Sequence, residues 1–534
     1  MKSDSPAYAE LDRAWKSTCR ILLGKEVGEL AYFQEWLASL VPRPTHAPSA
    51  ITGKEITYSI SDYCEGSKRA SLDEVWKLKQ FPPLSINEIK DVETLVQAVR
   101  DRAYYTGDVV LGNSDFIERS SNCKDSYYVL DSGIVSDSKC VCNSARIKEC
   151  EFLFGSDGIG VSKFLVRGFE GYKLTRCLEA WKSQTCSDCY YINGVMNSSD
   201  CMFCFNVRNK RHAIGNLELS KDKYASIKKK LVAEMAERLE KEHALPSLVE
   251  MVGECKGHGY APISSELEKL EKITKPDLSK IDSAFGRTTQ LVLGRKRAGI
   301  DDYAPWLKSH VLKMEVGKSI ISSKPMLLAD YSNYLLYPRA RLVTLLEAEF
   351  IGRHLRLEPQ EVENLSLASI PESISKIAYL TPEFFFGENY NVIECSTQYQ
   401  SMDSYRSPGV SFSKNTAYSF WPRTSDCIFG SSMAFESFYC INCYYSEVMN
   451  RCFETDSSKA CSDSFYLHNC ENVRSSMFCF NAKNLTYAVG NTVVGKERFD
   501  KARQMLLEWA NAQLSKKKSV SLSIFDLGCG KKPV

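Results

Sequence analysis

The sequence predicts an α+β fold, built as a tandem duplication of one unit: a helical cap, a short β-solenoid (β-helix) and a closing helix. Three observations predict it. The run Met202-Phe203-Cys204-Phe205-Asn206 returns as Met477-Phe478-Cys479-Phe480-Asn481, 275 residues later. A stretch over residues 112–216, rich in Ser, Cys, Asn, Asp and Gly interleaved with Tyr, Phe, Val and Ile, carries a short internal period. Helical apolar spacing flanks that stretch on both sides.

The 275-residue offset holds without a gap for Ala103-Tyr104 and Ala378-Tyr379, Phe154-Gly155-Ser156 and Phe429-Gly430-Ser431, Cys186-Ser187-Asp188 and Cys461-Ser462-Asp463, and Gly215-Asn216 and Gly490-Asn491. Upstream it drifts, as loop insertions cause: Asp62-Tyr63 matches Asp330-Tyr331, and Trp36-Leu37 matches Trp306-Leu307. The expected organisation is the helical region of copy one over 1–110, its solenoid and closing helix over 111–245, and a linker over 246–285. Copy two follows, with a helical region over 286–385, a solenoid and closing helix over 386–520, and a C-terminal tail over 521–534.

Within copy one, Leu11, Trp15, Leu22, Leu23, Leu30, Phe33 and Leu37 recur at helical spacing, and Pro42 and Pro44 stop the run. Ser85 and Glu88 form a capping-box pattern ahead of Ile89, Val92, Leu95, Val96 and Val99. Ser220 to His243 and Lys496 to Leu514 read as the closing helices.

In the middle stretch an anchor, mostly a small residue before aromatic or aliphatic ones, recurs at Ser126, Cys140, Cys150, approximately Phe164, Cys177, Cys189 and Cys201, a period of about 12.5 residues. The matching positions of copy two are Ser401, Asn415, Ser425, Tyr439, Cys452, Ser464 and Ser476. A strand and a tight turn recurring at that interval suit a β-solenoid, where equal positions stack one strand spacing apart. An antiparallel meander has the same spacing but reverses phase at each step, and the anchors keep one phase. Buried cysteine behaves as a small hydrophobe, so a ladder of reduced Cys and Ser accounts for 21 cysteines in 534 residues.

The run from Cys186 through Cys201-Met202-Phe203-Cys204-Phe205-Asn206-Val207-Arg208-Asn209-Lys210, followed by a helix start at Ser220 to Tyr224, resembles a family of uncharacterised Cys-x-x-Cys-repeat β-solenoid proteins. That family is common in candidate-phylum bacteria and small-genome archaea. The resemblance covers about 100 residues of each copy, and copy two, with Ala482-Lys483-Asn484-Leu485 at the closing motif, matches less well. It implies no activity that can be carried over. Many members place zinc-ribbon pairs before the repeats, and this sequence has none there.

Lys and Arg number 68 against 66 Asp and Glu, a net charge of +2, which excludes a strongly basic nucleic-acid binder; nucleic acid is not indicated as a partner. The first twenty residues lack a signal-peptide core and no segment has the apolar length of a membrane span. The expectation is a cytoplasmic protein, with no membrane partner and with reduced thiols.

Cys186-x-x-Cys189 followed by Cys201-x-x-Cys204 has the spacing of a four-thiolate zinc site. Copy two keeps only two of those thiols, Cys461 and Cys479, beside Ser464 and Ser476, so a packed ladder of thiols competes with the metal. No other cofactor is indicated. Phe525-Asp526-Leu527-Gly528-Cys529-Gly530 resembles a glycine-rich methyltransferase loop, but little sequence follows to build a pocket, and a docking tail is the alternative. The seven histidines make no triad or metal spacing. No catalytic residue is assigned. The functional expectation is therefore a non-enzymatic, self-assembling structural protein whose partner is itself, in a higher-order homo-oligomer. The alternative is a module binding RNA or a polysaccharide through Tyr127-Tyr128, Tyr190-Tyr191 and Tyr444-Tyr445. A carbohydrate-active enzyme, which needs clustered carboxylates, is the third reading.

Overall fold

Every third residue from Phe116 to Gly215, and again from Phe412 to Gly490, has a positive φ in the computed structural model. The structure describes residues 5–60, 62–80, 84, 89–270 and 277–529. A left-handed residue turns the chain sharply, so only short strands fit between such corners, most of them four residues long. Twelve α-helices and two 15-stranded sheets dominate the described residues, a mixed α and β structure.

Within each large sheet a strand pairs in parallel with a partner 12 residues on. Tyr127 faces Lys139, Lys139 faces Glu151 and Glu151 faces Lys163. In the second sheet Met402 faces Lys414, Lys414 faces Asp426 and Asp426 faces Phe438. The step is thus 12 residues rather than 12.5, divided into quarters of three. The discrepancy lies in the anchors: Cys140 and Phe164 occupy left-handed corners, whereas Ser126, Cys150, Cys177, Cys189 and Cys201 do not. A meander is excluded for these strands by their parallel pairing. Among the described residues of these two large sheets, antiparallel pairing appears where each sheet finishes, Ala213 against Glu218 and Ala488 against Val493.

The three-residue quarter sorts side chains. One residue per quarter points inward: Cys123, Val129, Val135, Val141, Ile147, Cys150, Leu153 and Ile159 belong to one buried cluster, with Cys177, Cys186, Cys189, Cys201 and Cys204 further along. Outward positions at the 12-residue step, Leu130, Cys142, Phe154, Val166, Leu178, Tyr190, Met202 and Ile214, join a separate core with Leu11, Trp15, Leu22 and Phe33.

The opening helical run is interrupted. Helix Pro6–Leu23 stops at Gly24, whose φ of 76° caps it through a hydrogen bond to Arg20, and Gln34–Ala38 forms a second helix. The Ser85 and Glu88 pattern lies outside the described residues; helix Val92–Arg100 starts from Asp91, which forms a capping box with Thr94. The closing helices are Lys221–Glu242 and Lys496–Lys517, the first capped by Ser220.

Packing crosses over between the two halves of the chain. Val311, Met326, Leu328, Tyr331, Leu342, Leu357 and Leu365 share the core of the first sheet. Conversely Ile56, Tyr58, Tyr63, Val92, Val96, Val99 and Tyr105 share the core of the second, together with Phe429, Tyr444, Phe465 and Phe480.

Candidate functional site

The inward positions need an explanation beyond size. An inward residue beside a left-handed corner has an N–H outside the strand pairing, and a buried N–H without an acceptor is costly. Serine answers this along one file as far as Gly168. Ser144 N–H donates to Ser132 Oγ at 3.0 Å, Ser156 N–H to Ser144 Oγ at 3.1 Å and Gly168 N–H to Ser156 Oγ at 3.0 Å. Each hydroxyl in turn donates to the carbonyl two residues back, as Ser132 does to Leu130 at 2.8 Å. The second sheet repeats this from Ser413 to Ser425 to Ser437.

Cysteine keeps the donor half of the arrangement. Cys186 donates to the Gln184 and Val195 carbonyls, Cys189 to Ser187, Cys201 to Ser199 and Cys204 to Met202. Cys177, Cys189 and Cys201 stack at the 12-residue step, and Cys189 touches Cys177, Cys186 and Cys201. Hydrogen bonds from Cys189 and Cys204 draw Cys201 down, while Cys189 and Cys204 are pushed up. The four cysteines of the zinc-type spacing are therefore brought together, with Cys177 as a fifth, Cys177, Cys189 and Cys201 in one file and Cys186 and Cys204 beside it. Among the described residues the group of three potential ligands whose donor atoms all lie within 4.8 Å of one another is Cys64, Asp526 and Cys529 instead. Cys64 and Cys529 are joined as a disulfide, which corrects the expectation that every cysteine is a free thiol.

The tyrosines divide. Tyr190, Tyr191 and Tyr444 are buried; Tyr190 donates to the Leu22 carbonyl at 2.8 Å and Tyr191 to Pro246 at 2.9 Å. Tyr127 is 39% exposed, and Tyr128 stacks on Phe116 at 4.8 Å with planes 3° apart. Half-buried and exposed carboxylates meet cations one step along: Arg176 and Asp188 at 2.6 Å, Glu394 and Arg406 at 2.6 Å, Arg451 and Asp463 at 2.6 Å, Glu471 and Lys483 at 2.6 Å. A cleft of about 590 Å³ lies beside the first cap, lined by Tyr32, Arg43, His46, Arg119 and Asp131 among others, and there Arg119 is already paired with Asp131.

Sequence reasoning missed the buried charged groups. Arg167 and Glu179, 2% and 0% exposed, form an ion pair; Glu179 also accepts from Trp181 Nε1 at 2.7 Å and from Leu248 N–H at 3.1 Å. Its counterpart Glu454 accepts from Asn442 and from Ile524 N–H, both at 2.8 Å, and burial pushes its carboxyl up. His468 Nδ1 lies 2.7 Å from Asp456, whose carboxylate also accepts from Tyr63 OH at 2.8 Å, while His468 Nε2 accepts from Thr106 N–H at 3.0 Å. That acceptor role places the histidine proton on Nδ1. The signal available was the 12-residue step itself, which separates Arg167 from Glu179, Asn442 from Glu454 and Asp456 from His468.

Where the halves meet, Glu170 and Lys182 are a further pair one step apart. Lys182 Nζ donates to the Thr381 carbonyl at 2.6 Å and to that of Glu383, and burial draws it down to about 8. Burial pushes Glu170 up to about 7, against the pull of Lys182. Gly158 (φ 69°) lets Tyr331 approach, since a Cβ there would meet its hydroxyl at 2.4 Å. These buried groups bind one half of the chain to the other and are closed to a substrate.

No protein-family model, no curated protein and no solved structure matches this chain. No helix among the described residues is long and apolar enough to cross a membrane.

Proposed function

We propose that this chain is a non-enzymatic structural protein of the cytoplasm, made of two copies of a capped β-solenoid unit fused as an internal pseudo-dimer, which assembles further with itself. The observation that carries the reading is reciprocity. Asn206 Nδ2 donates to the Tyr379 carbonyl at 2.7 Å, and Asn481 Nδ2 donates to the Tyr104 carbonyl at 2.9 Å, both pairs related by the 275-residue offset. Within each half a matching contact also recurs, Tyr191 to the carbonyl of Pro246 and Tyr466 to that of Leu522. Two related units docked by the same contacts in exchanged roles are the arrangement of a two-fold dimer written in one chain.

Self-assembly is supported by the edges. Strands Asp115–Glu118 and Tyr390–Ile393 pair on one side only. Phe116, Phe385, Phe386 and Tyr390 nearby are exposed, Tyr390 at 63%. Unpaired edges with apolar side chains template further strand pairing. Light scattering on the native protein tests this: a particle several times the 60.3 kDa chain is expected, and a strict monomer at micromolar concentration overturns it.

A second reading, a module for single-stranded RNA or a sugar polymer, is favoured only by the Phe116 and Tyr128 stack with Lys139 Nζ 5.8 Å from the Tyr128 ring. A gel-shift titration against salt separates it from the first.

A further inference from the structure

Of the 21 cysteines, 19 are free thiols; 18 of these are buried and Cys255 is half-buried. Cys64 and Cys529 differ from the 18 buried thiols in both respects. They are bonded to each other across 465 residues with Cα atoms 6.1 Å apart, and both are half-buried. The bond joins two segments that belong together only in the folded state. Cys64 lies beside Tyr63, in the part of the first half that packs on the second sheet. Cys529 follows residues 520–528, which lie over the same sheet: Leu522, Ile524, Phe525 and Leu527 are buried, Tyr105 OH donates to the Ile524 carbonyl at 2.6 Å, and Cys64 N–H donates to Phe525 at 3.3 Å.

Glu454 makes this segment consequential. Its carboxylate is enclosed and takes hydrogen bonds from Ile524 N–H at 2.8 Å and Ser523 Oγ at 3.0 Å. Lifting residues 520–529 removes both donors and uncovers Phe525, which packs 4.7 Å from His310 and 4.9 Å from Tyr444. In the first half the corresponding segment, docked through Leu248 N–H on Glu179, has no such bond; Cys255 there remains a thiol that donates to the Pro371 carbonyl at 3.1 Å. The second half alone has a covalent clasp.

We infer that Cys64 and Cys529 form a thiol–disulfide exchange site, accessible to a dithiol reductant, whose redox state decides how firmly residues 520–529 are held over Glu454. A thiolate of the dithiol attacks one sulfur of the pair and forms a mixed disulfide; its second thiol then displaces that sulfur. The chain gains two electrons and two protons as two thiols, and the dithiol leaves as a disulfide. The buried thiols are shielded from the reductant, and burial also pushes such groups as Cys123 and Cys150 up to about 12.

The full chain tests this with dithiothreitol as the dithiol. Alkylation after denaturation should modify 19 cysteines in the oxidised protein and 21 in the reduced one. Trypsin cleavage at Lys516 to Lys518 should accelerate on the order of tenfold on reduction, because local opening governs proteolysis. The Cys529→Ser variant should be cleaved at the fast rate with or without dithiothreitol. Finding 21 alkylated cysteines in air-oxidised protein overturns the inference, as do equal cleavage rates in the wild-type chain before and after reduction. So does one zinc per reduced chain that restores slow cleavage, which assigns Cys64, Asp526 and Cys529 to a metal.

Discussion

Asn206 donates its side-chain amide to the backbone carbonyl of Tyr379 at 2.7 Å, and both residues are buried. The same bond recurs, exchanged between halves, from Asn481 to Tyr104 at 2.9 Å. Each asparagine sits at a left-handed corner, φ 55° in both cases, a conformation that Asn tolerates better than most residues. Replacing Asn206 or Asn481 by Ala leaves a buried carbonyl short of a donor and should cost about 1–3 kcal/mol each. The sites share no partner, so the double variant should be additive. Urea denaturation measures both, and a neutral pair of substitutions contradicts the reciprocal seam.

The serine file predicts a cost that hydrophobicity scales miss. Ser132→Ala removes the acceptor for Ser144 N–H inside the first sheet and should destabilise by about 1–3 kcal/mol, although alanine is the more apolar residue. Ser144 in the Ser132→Ala protein should also show faster amide hydrogen exchange.

Strain at exposed corners predicts the opposite sign. Val161 is β-branched, 36% exposed and held at φ 51°. Val161→Asn should stabilise by on the order of 1 kcal/mol, because asparagine accepts the left-handed region that valine resists. An unchanged or lowered melting temperature argues against it.

Stability should depend on pH through Glu170 and Lys182. Glu170 is raised from 4.5 to about 7, so the folded chain binds its proton more tightly, and stability falls as pH rises from 4.5 to 7. Lys182 is lowered from 10.5 to about 8, so the unfolded chain holds the proton longer and stability recovers from pH 8 to 10.5. Glu170→Gln should flatten the lower limb and leave stability at pH 4.5 nearly unchanged. A wild-type profile without a fall between pH 4.5 and 7 contradicts this assignment.

The cluster of Cys186, Cys189, Cys201 and Cys204 is expected to bind no stoichiometric zinc. Its thiols already donate to the carbonyls of Gln184, Ser187, Ser199 and Met202. Metal analysis of the purified protein should find below about a tenth of an equivalent, since a structural site made of these residues would fill tightly.

A good part of this protein could be read from local pattern. The spacing of Leu11, Trp15, Leu22 and Leu23 locates the opening helix, and the near-constant step in the Ser and Cys stretches locates the parallel strands. Both signals survive because they report which side of an element is buried, a property each residue carries by itself. The three-residue quarter was less legible: corners tolerate Asp125, Tyr128, Cys140 and Val161 alike, so composition does not mark them and the period emerged as 12.5 instead of 12. Tertiary structure alone decided the partners. Nothing local joins Tyr63 to Asp456, Asn206 to Tyr379 or Cys64 to Cys529, because those contacts depend on how two distant segments cross. Burial likewise turned Glu179 and Glu454, which in sequence resemble any surface charge, into anchors for the segments at Leu248 and Ile524, and made His468 and Lys182 contacts between the two halves. Desolvation is a property of the assembled core, and no single residue carries it.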